Sequence, residues 1–149
     1  MRPFPFTIKK IDHVAIAVPD IDAALDRYRQ VLGLEATVRE VVASQKTEAA
    51  LLPVGSAPEE ERTSIELISP QGNDGLARFL DKRGPGLHHI AIEVVGIEAA
   101  LAALAALGVP LIDTTPRIGA RGHKVAFVHP KATGGVLVEL VEPAESSEP

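Results

Sequence analysis

The sequence predicts an α+β fold made of two tandem β-α-β-β-β modules. Three observations carry this prediction. Residues 13–25 (HVAIAVPDIDAAL) recur as residues 89–101 (HIAIEVVGIEAAL), with eight of thirteen positions identical. Residues 65–70 (IELISP) recur as residues 138–143 (VELVEP). Within each copy the apolar spacing passes from period two to helical period, and then returns to extended runs after a glycine. Each copy therefore opens on a His-bearing strand and closes on a Glu-bearing strand.

Residues 11–18 are rich in β-branched side chains and read as the first strand. Strict alternation puts Asp12, Val14, Ile16 and Val18 on one face and Ile11, His13, Ala15 and Ala17 on the other. Asp20 or Asp22 can cap a helix running to Leu32, with Ile21, Ala24, Leu25, Tyr28, Val31 and Leu32 at helical spacing and Gly33 as the stop. Strands are predicted near 35–43, 47–54 and 63–69, with 55–62 as a solvated hairpin loop. Asn73 or Asp74 caps a short linker helix through Lys82, ended by Gly84-Pro85-Gly86.

The second module repeats this order. A strand covers 87–95, an Ala-rich helix covers 97–107 and Gly108 ends it. Strands follow near 109–114, 124–129 and 135–141, and the polar, Gly-containing loop 117–123 reads as lying beside a cleft. The modules span about 11–70 and 87–143 of one domain, joined by the linker 71–86. The small, acidic tail 144–149 is expected to be disordered.

Composition excludes several function classes. A hydrophobic fraction of 46% supports a sizeable core, and with 3% aromatics that core must be aliphatic. A net charge of −5, no basic run and few stacking side chains argue against a nucleic-acid partner. With no cysteine, thiolate chemistry and disulfides are out. No apolar run approaches the ~20 residues of a membrane span. The start MRPFPFTIKK lacks the apolar core of a signal peptide, so a cytoplasmic location is expected.

The faces of the strands point to chemistry. Val14, Ile16, Val18 and Ile90, Ile92, Val94 form bulky faces suited to packing on helices. His13, Ala15, Ala17 and His89, Ala91, Glu93 form small, polar faces suited to lining a ligand cavity. Glu66 and Glu139 stand at matching places in the closing strands. Two imidazoles and two carboxylates brought together make a metal-site inventory. His88 is expected to point away from His89, and His129 to be structural.

On the segments IDHVAIAVPD, GPGLHHIAIEV and HPKATGGVLVELVEP the chain resembles the vicinal oxygen chelate (glyoxalase-type) superfamily. Within it, the chain resembles the methylmalonyl-CoA epimerases, over about residues 11–143. The resemblance implies an open half-barrel sheet around one divalent metal held by His13, Glu66, His89 and Glu139. Epimerases commonly carry Gln at the second of these positions, so Glu66 makes the set similar to that of glyoxalase I as well. The resemblance, anchored at Pro53, assigns the catalytic carboxylates to Glu48 and Glu139.

The implied activity is metal-dependent interconversion of the 2R and 2S forms of methylmalonyl-CoA, a step of propionate metabolism, by removal of the C2 proton. Mixed imidazole and carboxylate ligands suit Co²⁺, Mn²⁺, Ni²⁺, Zn²⁺ or Fe²⁺ better than Ca²⁺, and Co²⁺ is the ion expected among them. An anionic acyl-CoA on an acidic protein needs a local cationic patch, for which Arg117, Arg121, His123, Lys124 and Lys131 are the candidates. A homodimer is the expected assembly. Two other readings stand beside this one: a glyoxalase I-type lyase acting on a glutathione hemithioacetal, and a non-catalytic small-molecule-binding protein of the same fold.

Overall fold

The computed structural model describes residues 4–144, so all but the first residue of the tail expected at 144–149 lies outside the described residues. Local signals set the first helix. Asp20 accepts a hydrogen bond from the Ala23 N–H at 3.2 Å and starts α1 (Ile21–Leu32). Gly33 ends it at φ +69°, donating its N–H back to Arg29, a left-handed cap that a side chain would strain. The linker helix α2 (Asp74–Arg83) is capped by Asn73, which accepts from the Leu76 N–H at 2.8 Å.

The first module contributes β1 (Thr7–Ala17), β2 (Val38–Val42), β3 (Thr47–Val54) and β4 (Thr63–Pro70). The second contributes β5 (Gly86–Val95), α3 (Ile97–Ala106), β6 (Arg117–Ile118), β7 (Lys124–Val128) and β8 (Val138–Glu142). All eight strands join one curled half-barrel sheet in the order β2-β3-β4-β1-β5-β8-β7-β6. The antiparallel pair β1–β5 is its centre, and each half is closed by a parallel partner, β4 on β1 and β8 on β5.

Period-two alternation divides the core. Val18, Ala50, Leu52 and Leu67 pack with Ile21 and Ala24 of α1. Val94, Ala126, Val128 and Leu140 pack with Ile97, Ala100, Leu101 and Leu104 of α3. On the other face Ala15, Ala17, Ala49 and Ile68 meet Leu76, Phe79 and Leu80 of α2. The small face of β1 is thus partly filled by the linker helix, and only its His13 end remains for a ligand.

Two features depart from the sequence expectation. The segment 109–114 is not a strand: Pro110 has no N–H for a ladder, and only an isolated Leu111–Val128 bridge forms. Asp113 takes the place of a strand there, accepting from the Phe127 N–H through its carboxylate at 2.8 Å. The edge strand is β6 instead, inside the segment expected to be loop. Second, β1–β5 is not a simple ladder. Its register shifts between Ile11 and His13 and between Ala15 and Ile16, leaving Asp12 and His88 as extra residues in β-bulges.

The N-terminus of α3 has a tertiary cap. Gly96 has no side chain to offer, and Glu142 of β8 accepts from the Gly96 and Ile97 N–H groups at 2.6 and 3.3 Å. Among the described residues no helix is long and apolar enough to cross a membrane. Removing this cap by Glu142→Ala is expected to cost about 1 kcal/mol. Thermal unfolding followed by circular dichroism should show it as a fall in Tm of roughly 2–4 °C.

Candidate metal centre

Strand register brings the repeat together. Across β1–β5, His13 lies opposite Ala91 and Ala15 lies opposite His89. Ala15 is also paired with Glu66 on β4, and Ala91 with Glu139 on β8. Each module therefore supplies one imidazole and one carboxylate, and the two alanines leave room between them. All four side chains are buried, Glu139 to 3% residual exposure.

The donor atoms converge. His13 Nε2 lies 3.2 Å from Glu139 Oε1 and 3.6 Å from Glu66 Oε2, and His89 Nε2 lies 3.5 Å from Glu139 Oε1. Donor atoms of His13, Glu66 and His89 all fall within 4.8 Å of one another. Both Nε2 atoms are buried without a hydrogen-bond partner. Ligands about 2.0–2.2 Å from a common ion stand at such mutual separations. Two orphaned imidazole nitrogens beside two carboxylates therefore fit a divalent metal, and suit the borderline transition ions better than calcium.

The bulges orient these rings. Asp12, displaced from the alternation, turns onto the cavity side rather than toward the helices. There it accepts from His13 Nδ1–H at 2.7 Å. That bond fixes the tautomer and directs Nε2 at the centre, as carboxylates behind metal-binding histidines do. Arg121 holds Asp12 in turn at 3.4 Å. His88, at the matching bulge, does not point away from its neighbour: its Nδ1 lies 2.8 Å from His89 Nδ1, with its ring against Phe79.

The electrostatics follow from this crowding. Burial opposes a charged His13, but the Glu66, Asp12 and Glu139 carboxylates outweigh it and push the ring up to about 10. Burial raises Glu66 above the usual carboxylate range. Burial acts likewise on Glu139, yet the adjacent His13 and His89 rings hold it well below that range, at about 2. Burial and the neighbouring His89 lower His88 to about 4.

The other predicted residues are placed differently. Glu48 pairs with Ser69 in the β3–β4 ladder, beside Ala50 and Leu67 on the α1-side alternation. Its carboxylate accepts from Arg39 Nε at 2.9 Å, and the same guanidinium reaches Asp22 of α1 at 2.6 Å. Glu48 is thus on the opposite face of the sheet from the metal cluster, and Ala49 occupies the cavity-side position. The error is one of register, since a shift of one residue in a strand exchanges the faces.

Nor do the basic residues form one patch. Arg117 pairs with Asp113, Arg121 with Asp12, and Lys124 with Glu98 of α3, while Lys131 is exposed beyond β7. Of this group only Arg121 and His123 line the metal cavity, which measures about 10 Å³. Two contributors were not foreseen. Asp12 was hidden because alternation assigned it to the other face, although an acid directly before a strand histidine was a usable signal. Gln45, donating to Glu139 at 3.5 Å, is the last residue of a 3-10 turn that no local pattern marks.

Comparison with known proteins agrees with this fold. Residues 12–127 match the family model of the glyoxalase/bleomycin resistance protein/dioxygenase superfamily. The mitochondrial methylmalonyl-CoA epimerase of Dictyostelium discoideum is 42% identical over 137 residues, which is 91% of this chain and 79% of that protein. The ethylmalonyl-CoA/methylmalonyl-CoA epimerase of Cereibacter sphaeroides is 38% identical over 136 residues, 89% of this chain and 97% of that one. A Streptomyces coelicolor methylmalonyl-CoA epimerase variant in complex with 2-nitronate-propionyl-CoA superimposes with a TM-score of 0.87. It is 33% identical, with 96% of this chain and 100% of that chain covered.

If Asp12 orients His13, Asp12→Asn should weaken binding of a divalent ion by about 10–100-fold. Titration calorimetry of the metal-free protein with Co²⁺ measures this, and unchanged affinity would dissociate Asp12 from the centre.

Proposed function

The chain belongs to the glyoxalase/bleomycin resistance protein/dioxygenase superfamily and, within it, to the methylmalonyl-CoA epimerase family, and from that premise we propose how its site works. The protein is an isomerase that inverts C2 of methylmalonyl-CoA. The observation that carries this reading is the buried His13, Glu66, His89, Glu139 cluster, in which both imidazole Nε2 atoms lack a partner. It is the site that a carbon acid flanked by a thioester and a carboxylate requires.

His13, Glu66, His89 and Glu139 are the residues that would hold the ion. A bound divalent ion supplies Lewis-acid polarisation of the thioester oxygen and orients the substrate. The protein does the rest. The cluster is buried, which limits water and strengthens electrostatic stabilisation of a developing oxyanion. Glu139, held ionised by the two histidines, is placed to take the C2 proton from one face. Asp12 and His88 hold the rings behind the ligands, and Gln45 steadies the second oxygen of Glu139.

Co²⁺ is the metal of this reading, and the mixed ligand set also suits Mn²⁺, Ni²⁺, Zn²⁺ and Fe²⁺. The substrate is an acyl-CoA of the malonyl type, and a relative named for both ethylmalonyl- and methylmalonyl-CoA makes the longer side chain a natural second substrate to assay. The reading also includes a cytoplasmic location and a homodimer. The dimer is supported by Ile8, Ile11 and Val95, large apolar side chains exposed on the central strand pair. Sedimentation velocity tests that assembly.

The activity is tested with Co²⁺-loaded protein and (2R)-methylmalonyl-CoA in D₂O, followed by NMR. Metal-dependent loss of the C2 proton signal and appearance of the 2S isomer are the expected results. Turnover of the glutathione hemithioacetal in place of these would assign the site to a glyoxalase I-type lyase. Turnover of neither substrate would favour a binding role. Glu139→Gln should lower turnover by about 10²-fold or more. Glu48→Gln, on the far face of the sheet, should stay within about threefold of the parent enzyme, because it only removes an exposed ion pair.

A further inference from the structure

We propose that His123 is the second proton-transfer group of this site, serving the face of the acyl group away from Glu139. The inference rests on the epimerase reading above. Inversion at C2 takes a proton from one face and returns one to the other, so two groups are needed. With Glu48 across the sheet, the second must come from the cavity itself.

Elimination among the ionisable residues lining that cavity is short. They are Asp12, His13, Glu66, Arg121, His123 and Glu139. His13 and Glu66 are metal ligands. Asp12 is engaged by His13 at 2.7 Å and by Arg121 at 3.4 Å. Arg121 is committed to that same carboxylate, its guanidinium donating to Asp12. Glu139 and His123 remain.

The placement of His123 suits the role. It directly precedes β7, where Val125 pairs with Val141 and Phe127 pairs with Glu139. Phe127 packs its ring against His89, with centroids 5.1 Å apart. Period-two alternation therefore sets His123, Val125 and Phe127 on the metal-cluster face. Its side chain is half-buried, and its Nδ1 is buried without a hydrogen-bond partner. Burial and the adjacent Arg121 hold its pKa below the usual value, so a neutral, proton-accepting form is available. Glu139 belongs to the sheet floor. His123 belongs to the 119–123 turn that crosses to β2, where the Arg121 N–H donates to Glu40 at 2.5 Å. The two groups thus reach the cavity from different walls.

The proton balance closes over a cycle. In one direction ionised Glu139 breaks the C2–H bond and becomes the acid, the electron pair passing into the enolate. Protonated His123 then forms the new C2–H bond on the other face and becomes neutral. In the reverse direction neutral His123 takes the proton and protonated Glu139 returns one. Between turnovers the two groups re-equilibrate with water.

The test uses the full-length, Co²⁺-loaded protein as parent, His123→Asn and His123→Gln, each with (2R)- and (2S)-methylmalonyl-CoA in D₂O. The parent enzyme should invert both isomers with deuterium uptake. Both variants should still wash the C2 proton out of one isomer with retention, while inversion falls by about 10²-fold or more. Their Co²⁺ affinity by calorimetry and their circular dichroism should match the parent. Parent-like inversion in either variant would overturn the role of His123 and leave the epimerase reading intact. Loss of exchange from both isomers with metal retained would overturn it too, making His123 a binding residue. Loss of metal affinity in both variants would make it structural. A parent protein that neither exchanges nor inverts would end the epimerase reading, and the inference with it.

Discussion

His13 opposite Ala91 and Ala15 opposite His89, across the antiparallel β1–β5 pair, is the alignment from which the rest of the site follows. It places two imidazoles from distant parts of the chain with ring centroids 5.6 Å apart. The parallel neighbours β4 and β8 then deliver one carboxylate each. Four polar side chains are buried as a result, at a cost of several kcal/mol per unpaired charge. The metal-free arrangement offsets part of that cost by holding His13 protonated between Glu66, Asp12 and Glu139. Cation binding replaces that proton with a larger charge at the same place, so metal uptake and proton release are linked.

The two bulges give the pairing its chemical direction. A regular ladder would turn Asp12 and His88 toward the helices. One extra residue in each strand instead lays both beside the metal-binding rings, at pseudo-equivalent places. The equivalence is geometric only. Asp12 is an anion that makes His13 more basic, whereas His88 is neutral and polar. The two imidazoles of the centre therefore differ in electronic character although the repeat that produced them is nearly exact in its first strand.

The modules are also tied at the sheet's outer edges. The Arg117–His123 region of the second module reaches β2 and the turn after it. Arg121 donates to Glu40, Ser44 donates to the Ile118 carbonyl, and Arg117 donates to the Ser44 carbonyl. This contact bounds the cavity, and it brings Arg121 to Asp12 and His123 to the same space. Residues that support the metal ligands and residues that face the substrate are thus held by one set of cross-module bonds.

Much of this was legible in the sequence. The repeat itself announced two modules, the α1 and α2 boundaries followed from Asp20, Gly33, Asn73 and Gly84, and the four candidate metal ligands stood at matching repeat positions. Those are local or periodic signals, and they survive without knowledge of the fold. Glu48 was misplaced because face assignment depends on register, and an anchor at Pro53 alone does not set it. Asp12 and His88 were misplaced because a bulge is fixed by how two distant strands meet, not by either strand alone. The supposed basic patch dissolved because Lys124 found its acid in α3 and Arg121 in β1, while Lys131 stands apart from both. Residue types, periodicity and caps were the chain's own to determine, since they act within one turn or one strand. Which side chains share a face, and which charge neutralises which, was decided only when the tertiary pairing brought residues as much as 109 positions apart within a few ångströms.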